Sequence, residues 1–147
     1  MAWIPNVHSD EEQNYTRFIE EYVCKPNQGD TVVAISVTRN VKPHVEWHIE
    51  EHNIEVQNFY HFILPAEGFK SIKDGTHAWL LAEQVIKALD KLNPNQRKGK
   101  VHFFYAAPGG FVFFLGQQAL NIREIILYEH NLTGDGSYCP SFLLPLE

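Results

Sequence analysis

Lys100 to Gly116, KVHFFYAAPGGFVFFLG, leaves this chain few folds to choose from. Val101 to Ala107 is apolar at nearly every position, turns at Pro108-Gly109-Gly110, and continues into a second apolar stretch. A strand without alternation must be covered on both faces, and an all-apolar helix on every side. The stretch therefore reads as a buried strand, a sharp corner and a buried helix inside a layered domain. The corner differs from what it joins. Two glycines behind a proline expose backbone N–H groups at a helix start, where an anion or a flat ligand can come close. The same glycines also suit a plain tight corner, so the motif alone leaves both readings open.

The remaining segments supply the layers. Ser9-Asp10-Glu11-Glu12 reads as a capping box, and Tyr15, Phe18, Ile19, Tyr22 and Val23 follow at three-to-four spacing. This predicts an N-terminal helix within residues 1–28, stopped by Lys25-Pro26 and packed on the domain or on a partner. Thr31 to Thr38 is a β-branched run and predicts a strand. Pro43 to His52 predicts a short helix, although Val45, Trp47 and Ile49 alternate as in a strand. Glu55 to Leu64 predicts the next strand, Ala66 to Gly75 a loop, and Thr76 to Leu92 a long amphipathic helix. Glu124 to His130 reads as a further buried strand. Cys139 to Leu146, with Pro140 and Pro145 near its ends, reads as an edge strand.

Strands alternating with helices, then two strands close together, predict an α/β fold spanning residues 1–147 as one domain. The sheet is Rossmann-like and mainly parallel, flanked by helices, with an antiparallel pair at the C-terminal side. In such sheets ligands bind beyond the carboxyl ends of the strands, where the strand order reverses. Three loops qualify: Thr38-Arg39-Asn40, Gly68 to Gly75, and Ala107 to Phe111.

A net charge of −6 argues against a long nucleic-acid partner, which wants a basic face. It leaves room for a small phosphorylated ligand, which needs only local donors. Cys24 and Cys139 stand far apart and outside any CxxC, so free thiols in a reducing compartment are expected. With no signal peptide or bilayer-length apolar run in view, the expected location is cytoplasmic, away from membranes.

Arg39, after a buried strand, could hold a phosphate bidentately or simply be a solvated loop arginine. Lys70 and Lys73 are lid lysines or exposed ones, and Phe69 is a stacking residue or a core residue. His44, His48 and His52 share one face if their segment is helical, but no HExxH accompanies them, so no metal is assigned. Glu129-His130 could work as an acid/base pair, yet no nucleophile joins it. No catalytic residue and no cofactor follow from these residues.

Several segments taken together resemble the SAVED domain, a sensor module related to CARF domains. They are Ser71-Ile72-Lys73-Asp74-Gly75 with Ala78, Val101-His102-Phe103-Phe104 into Ala106-Ala107-Pro108, Phe114-Leu115-Gly116-Gln117, and Leu127-Tyr128-Glu129-His130 with Tyr138. Their order and spacing match as a set over about Val32 to Leu146. The resemblance implies two CARF-like halves around a shared pocket that takes a cyclic di- or trinucleotide, or an oligoadenylate. It implies a non-catalytic sensor of bacterial antiviral defence whose ligand drives oligomerisation and activates an effector. The ligand-facing residues would be Thr38 and Arg39, then Gly68, Phe69 and Lys70, then Pro108, Gly109, Gly110 and Phe111. Phe69 and Phe111 would stack on bases. The chain has length for one half only. It is therefore expected to be a piece of a longer protein, or to pair with a second copy, a second SAVED half or an effector protein. Two alternatives stand beside the sensor: a half-domain used only for assembly, and a nuclease degrading the messenger through His102, Glu129 or His130.

Overall fold

The alternation is realised around one sheet. A computed structural model describes residues 15–26, 28–65, 72–92, 99–118, 124–130 and 138–145. In chain order the elements are β1 (Ile19–Cys24), β2 (Asp30–Ser36), α1 (Lys42–Glu51), β3 (Val56–Ile63), α2 (Gly75–Asp90), β4 (Val101–Ala106), α3 (Gly109–Gln118), β5 (Glu124–His130) and β6 (Tyr138–Pro145). The six strands lie in the order β1-β3-β2-β4-β5-β6. The inner four, β3, β2, β4 and β5, are mutually parallel. An antiparallel strand closes each side, β1 on β3 and β6 on β5.

The apolar runs are continuous because successive residues feed two cores. Val33 and Ile35 point with Phe62, Phe103 and Leu127 toward α2 and α3. Val32 and Ala34 point with Phe104 and Tyr128 toward Val41 and Val45 at α1. Such period-two division is what a strand buried on both faces requires. α1 thus covers one face, and α2 and α3 cover the other.

The helices begin and end where their residues permit. α1 starts with proline in its first turn and ends at Asn53, whose φ of 51° is left-handed. α2 is capped by Asp74, whose carboxylate accepts the His77 amide at 2.9 Å. No described helix is long and apolar enough to cross a membrane.

One expected element is different. Residues 19–24 form strand β1, not the end of an amphipathic helix. The capping box at residues 9–12 lies outside the described residues. Ile19, Tyr22 and Val23 fit helical spacing, but isoleucine, tyrosine and valine also suit a pleated surface. Cross-strand contacts decide the outcome. The Tyr22 ring stacks on Tyr60 with centroids 4.4 Å apart, and its hydroxyl donates to Asn58 at 2.7 Å. One residue before the strand begins, Phe18 is buried and meets Phe62 and Phe111 edge-on.

Candidate functional site

The chain reverses its winding at β2. From β2 it passes through α1 to β3 on one side, then crosses by α2 to β4 on the other side. The loops leaving β2 and β4 therefore diverge to opposite faces, the arrangement at which α/β sheets form their ligand crevice, at the carboxyl ends of the strands. The described loops at this switch point are the β2–α1 and β4–α3 connections.

Both loops are tied to the sheet. The amides of Val37 and Thr38 donate to the Ala106 carbonyl at 3.1 and 2.9 Å. Residues 38–40 and residues 107–109 therefore leave the sheet side by side. The Val41 amide donates to Ser36 Oγ at 3.0 Å, closing the first loop. Thr38 is half-buried and Arg39 is exposed.

The second loop is the diglycine corner. Pro108 caps the turn: its carbonyl accepts the amides of Phe111 and Val112 at 3.1 and 3.4 Å. The amides of Gly109 and Gly110 precede that first bonded turn, so they have no partner within the helix. A Cβ built on Gly110 meets nothing within 4 Å, so the corner faces open space. Gly110 is not kept small by packing, so a larger side chain at this position would meet no neighbour.

Phe111 faces the other way. It is 1% exposed and packs against Phe18 with ring centroids 5.8 Å apart. The stacking role expected of its ring is corrected to a core role, because the first turn of α3 rotates that side chain onto the sheet. Gly68, Phe69 and Lys70 lie outside the described residues. β3, which precedes them, ends on the same edge of the sheet as β2 because the two strands are parallel.

The residues weighed for nuclease chemistry do not gather in this crevice. His102 stands near the amino end of β4, about 13 Å of strand away from Ala106. Its Nε2 is 2.7 Å from Asp30 Oδ2 and its Nδ1 is 2.9 Å from the Tyr128 hydroxyl. Glu129 pairs in register with Tyr105, toward the opposite end of the strands. Among the described residues, no three histidine, cysteine or acidic side chains come together as a metal site. His48 is buried against Phe104 and Tyr128 and stacks on His52 with centroids 4.0 Å apart. Burial first, then the neighbouring His52 and His102, lowers its pKa to about 4.

Two networks escaped the sequence reading. One is the Asp30–His102–Tyr128 set just described. The other joins Ser36, His61 and Glu21 across three strands. No sequence motif announces either, because strand pairing, not local spacing, brings their members together. A separate groove of about 380 Å³ runs between α1 and the β1 edge, lined by Val23, Lys25, Lys42, Ile49 and Phe59 among others. It lies beside the edge of the sheet and not at the switch point.

The fold is thus a Rossmann-like α/β domain with an open corner at its switch point. Residues 2–144 match the family of the SMODS-associated and fused to various effectors sensor domain, SAVED, and the chain belongs to that family. It is 36% identical over 119 residues to CD-NTase-associated protein 4 of Enterobacter hormaechei subsp. hoffmannii, a match covering 78% of this chain and 23% of that protein. Its fold is similar to solved structures of the Acinetobacter baumannii Cap4 SAVED/CARF-domain containing receptor. With the cyclic trinucleotide 3′3′3′-cAAA the TM-score is 0.70 at 22% identity, covering 88% of this chain and 28% of that one. With 2′3′3′-cAAA the TM-score is 0.69 at 22% identity, covering 90% and 28%. The chain spans about a quarter of the length of these relatives.

Proposed function

We propose that this chain is a non-catalytic receptor for a cyclic oligonucleotide second messenger, and that it contributes one half of the binding pocket. The crevice at the β2/β4 switch point is the half it contributes. The observation that carries the reading is the open diglycine corner, with nothing within 4 Å of a Cβ at Gly110, beside the loop of Thr38 and Arg39. Family membership and the cyclic trinucleotides in the similar receptor structures supply the ligand class.

The chemistry fits a ring of nucleotides. The amides of Gly109 and Gly110 sit at the positive end of α3 and suit a phosphate oxygen. The Arg39 guanidinium adds a bidentate donor for a second phosphate. Thr38 offers a hydroxyl between them, and Pro108 a rigid apolar edge for a base or sugar. The 68–70 segment would bring Phe69 to stack and Lys70 to pair with phosphate. Binding, rather than cleavage, is the reading that family membership in a sensor domain supports.

In this proposal the bound ring completes its pocket with a second copy of the chain or a second SAVED half, and assembly then activates an antiviral effector. Calorimetric titration of the chain with 3′3′3′-cAAA, 2′3′3′-cAAA and a cyclic dinucleotide tests the receptor. Saturable binding of one ring in preference to the others is expected. No heat from any of them would remove the sensor reading.

A further inference from the structure

Ser36 closes β2, His61 lies on β3 and Glu21 on β1, and their polar atoms form a line across three strands. Ser36 Oγ is 2.8 Å from His61 Nε2, and His61 Nδ1 is 3.3 Å from Glu21 Oε1. The strand registers impose this line, since Glu21 pairs directly with His61 and His61 with Ala34, two residues before Ser36. Ser36 and His61 are each 2% exposed, whereas the Glu21 side chain is 54% exposed.

Hydroxyl, imidazole and carboxylate in this order are the groups of a hydrolase triad. A nucleophile must be reachable, and Ser36 is sealed. Its oxygen already accepts the Val41 amide at 3.0 Å. Counting donors assigns the protons. The Glu21 carboxylate only accepts, so Nδ1 of His61 carries the hydrogen and Nε2 accepts. The Ser36 hydroxyl then donates to Nε2 and keeps a lone pair for Val41. All four groups are satisfied in one arrangement, which fixes where the serine lone pair points.

That lone pair holds one end of the loop in the crevice. At the other end, Val37 and Thr38 are both bonded to the Ala106 carbonyl. We propose that Ser36, His61 and Glu21 are positioning residues: a relay that anchors the 38–40 loop, and with it Arg39, from the exposed edge strand β1. The consequence for ligand affinity rests on the receptor reading above; the anchoring itself does not.

Peptide-resolved amide hydrogen exchange on the intact chain tests the anchor. Ser36→Ala is expected to speed exchange over residues 37–42 about tenfold, the size of one lost hydrogen bond, with residues 101–106 unchanged. Glu21→Ala, at an exposed position where folding is safe, should speed the same segment about threefold across the intervening strand. Unchanged exchange over 37–42 in both variants overturns the proposal, and so does acceleration spread evenly over the sheet. A double-mutant cycle with 3′3′3′-cAAA then tests the positioning role. Ser36→Ala should weaken binding about tenfold in the natural chain and leave the affinity of Arg39→Ala unchanged. Equal losses in both backgrounds would overturn positioning through Arg39. If the unaltered chain binds none of the rings, the receptor reading fails while the exchange result still decides the relay.

Discussion

The side-chain amide of Gln84 grips both backbone groups of Phe18: Oε1 accepts its N–H and Nε2 donates to its carbonyl, each at 2.9 Å. Nε2 also donates to Glu20 at 2.8 Å. A residue of α2 thereby behaves like one more rung of sheet and fixes where β1 begins. Phe18 follows into the core, and Glu20, Tyr22 and Cys24 are set on the α2 side of the edge.

Gln84→Ala should therefore loosen β1 before anything else. It orphans two partly buried backbone groups, at a cost of about 1–3 kcal/mol. Gln84→Glu should be as harmful, because it loses the donor and sets a carboxylate beside Glu20. Thermal unfolding gives the cost, and faster amide exchange over residues 18–24 locates it. A drop in stability with residues 18–24 still protected would show that Tyr22 and Phe18 hold the strand without help.

Stability should fall with acid well before the carboxylates titrate. The pKa of His48 is lowered to about 4 by burial, and further by its neighbours His52 and His102. Burial also lowers His61 and His77. At His77 burial outweighs the Thr16 carbonyl, which accepts from Nε2 at 2.7 Å and favours the proton, while Nδ1 accepts the Lys73 amide at 3.0 Å. In the unfolded chain each histidine takes up its proton near pH 6.5. Between pH 6.5 and about 4 the unfolded state therefore binds more protons, and folding weakens as pH falls. Asp74 acts lower still. Burial raises its pKa, but the His77 amide and the Tyr15 hydroxyl outweigh it, so its contribution is lost only at stronger acid. Urea midpoints at pH 8, 6.5 and 5 should decline in that order, and His48→Leu should flatten the decline. Equal midpoints across the range would contradict the burial of these rings.

Adjacent residues at the diglycine corner should respond in opposite ways. Gly110 faces open space, so Gly110→Trp should leave the unfolding temperature nearly unchanged while blocking ring binding. Phe111 is in the core, so Phe111→Ala should cost about 3–5 kcal/mol through the cavity it leaves. Measured on both variants, melting and calorimetry separate a site residue from a packing residue. Undiminished binding by Gly110→Trp would move the site away from the corner.

Much of this architecture was legible in the chain because it rests on local rules. Pro43 opens α1, the apolar stripe of 76–92 makes α2, and the runs 31–38 and 101–107 can only be strands covered on both sides. The switch point follows from these, since the glycine corner and Arg39 both trail inner parallel strands. What escaped depends on contacts far apart in sequence. β1 reads as a helix until Tyr60 and Asn58 are brought beside Tyr22. The direction of Phe111 depends on how α3 docks, which no spacing rule supplies in an all-apolar helix. The Ser36–His61–Glu21 line exists only once the register is set.

Arg39 should bind as a fork and not merely as a charge. It lies exposed where β2 leaves the sheet, one residue after Thr38, whose amide is bonded to the Ala106 carbonyl. Arg39→Ala should weaken binding of 3′3′3′-cAAA about tenfold or more, and Arg39→Lys should restore only part of that loss, because a lysine cannot donate two parallel hydrogen bonds. Neither change should alter unfolding. Full rescue by lysine would reduce the residue to general electrostatic attraction, and unaffected binding in Arg39→Ala would remove it from the site.

Assembly and ligand binding should be linked if each chain contributes half a pocket. A ring gripped by two halves binds the assembled state better than the separate one, so it shifts the population toward assembly. The coupling is reciprocal: apparent affinity must rise with protein concentration by the same factor that ligand favours the assembled form. Sedimentation with and without 3′3′3′-cAAA, repeated over a hundredfold range of chain concentration, checks both sides of that relation. A chain whose size ignores the nucleotide while it still self-associates would be an assembly module. A chain that binds the ring with one affinity at every concentration would hold a whole site by itself, and the shared-pocket proposal would give way to a self-contained crevice.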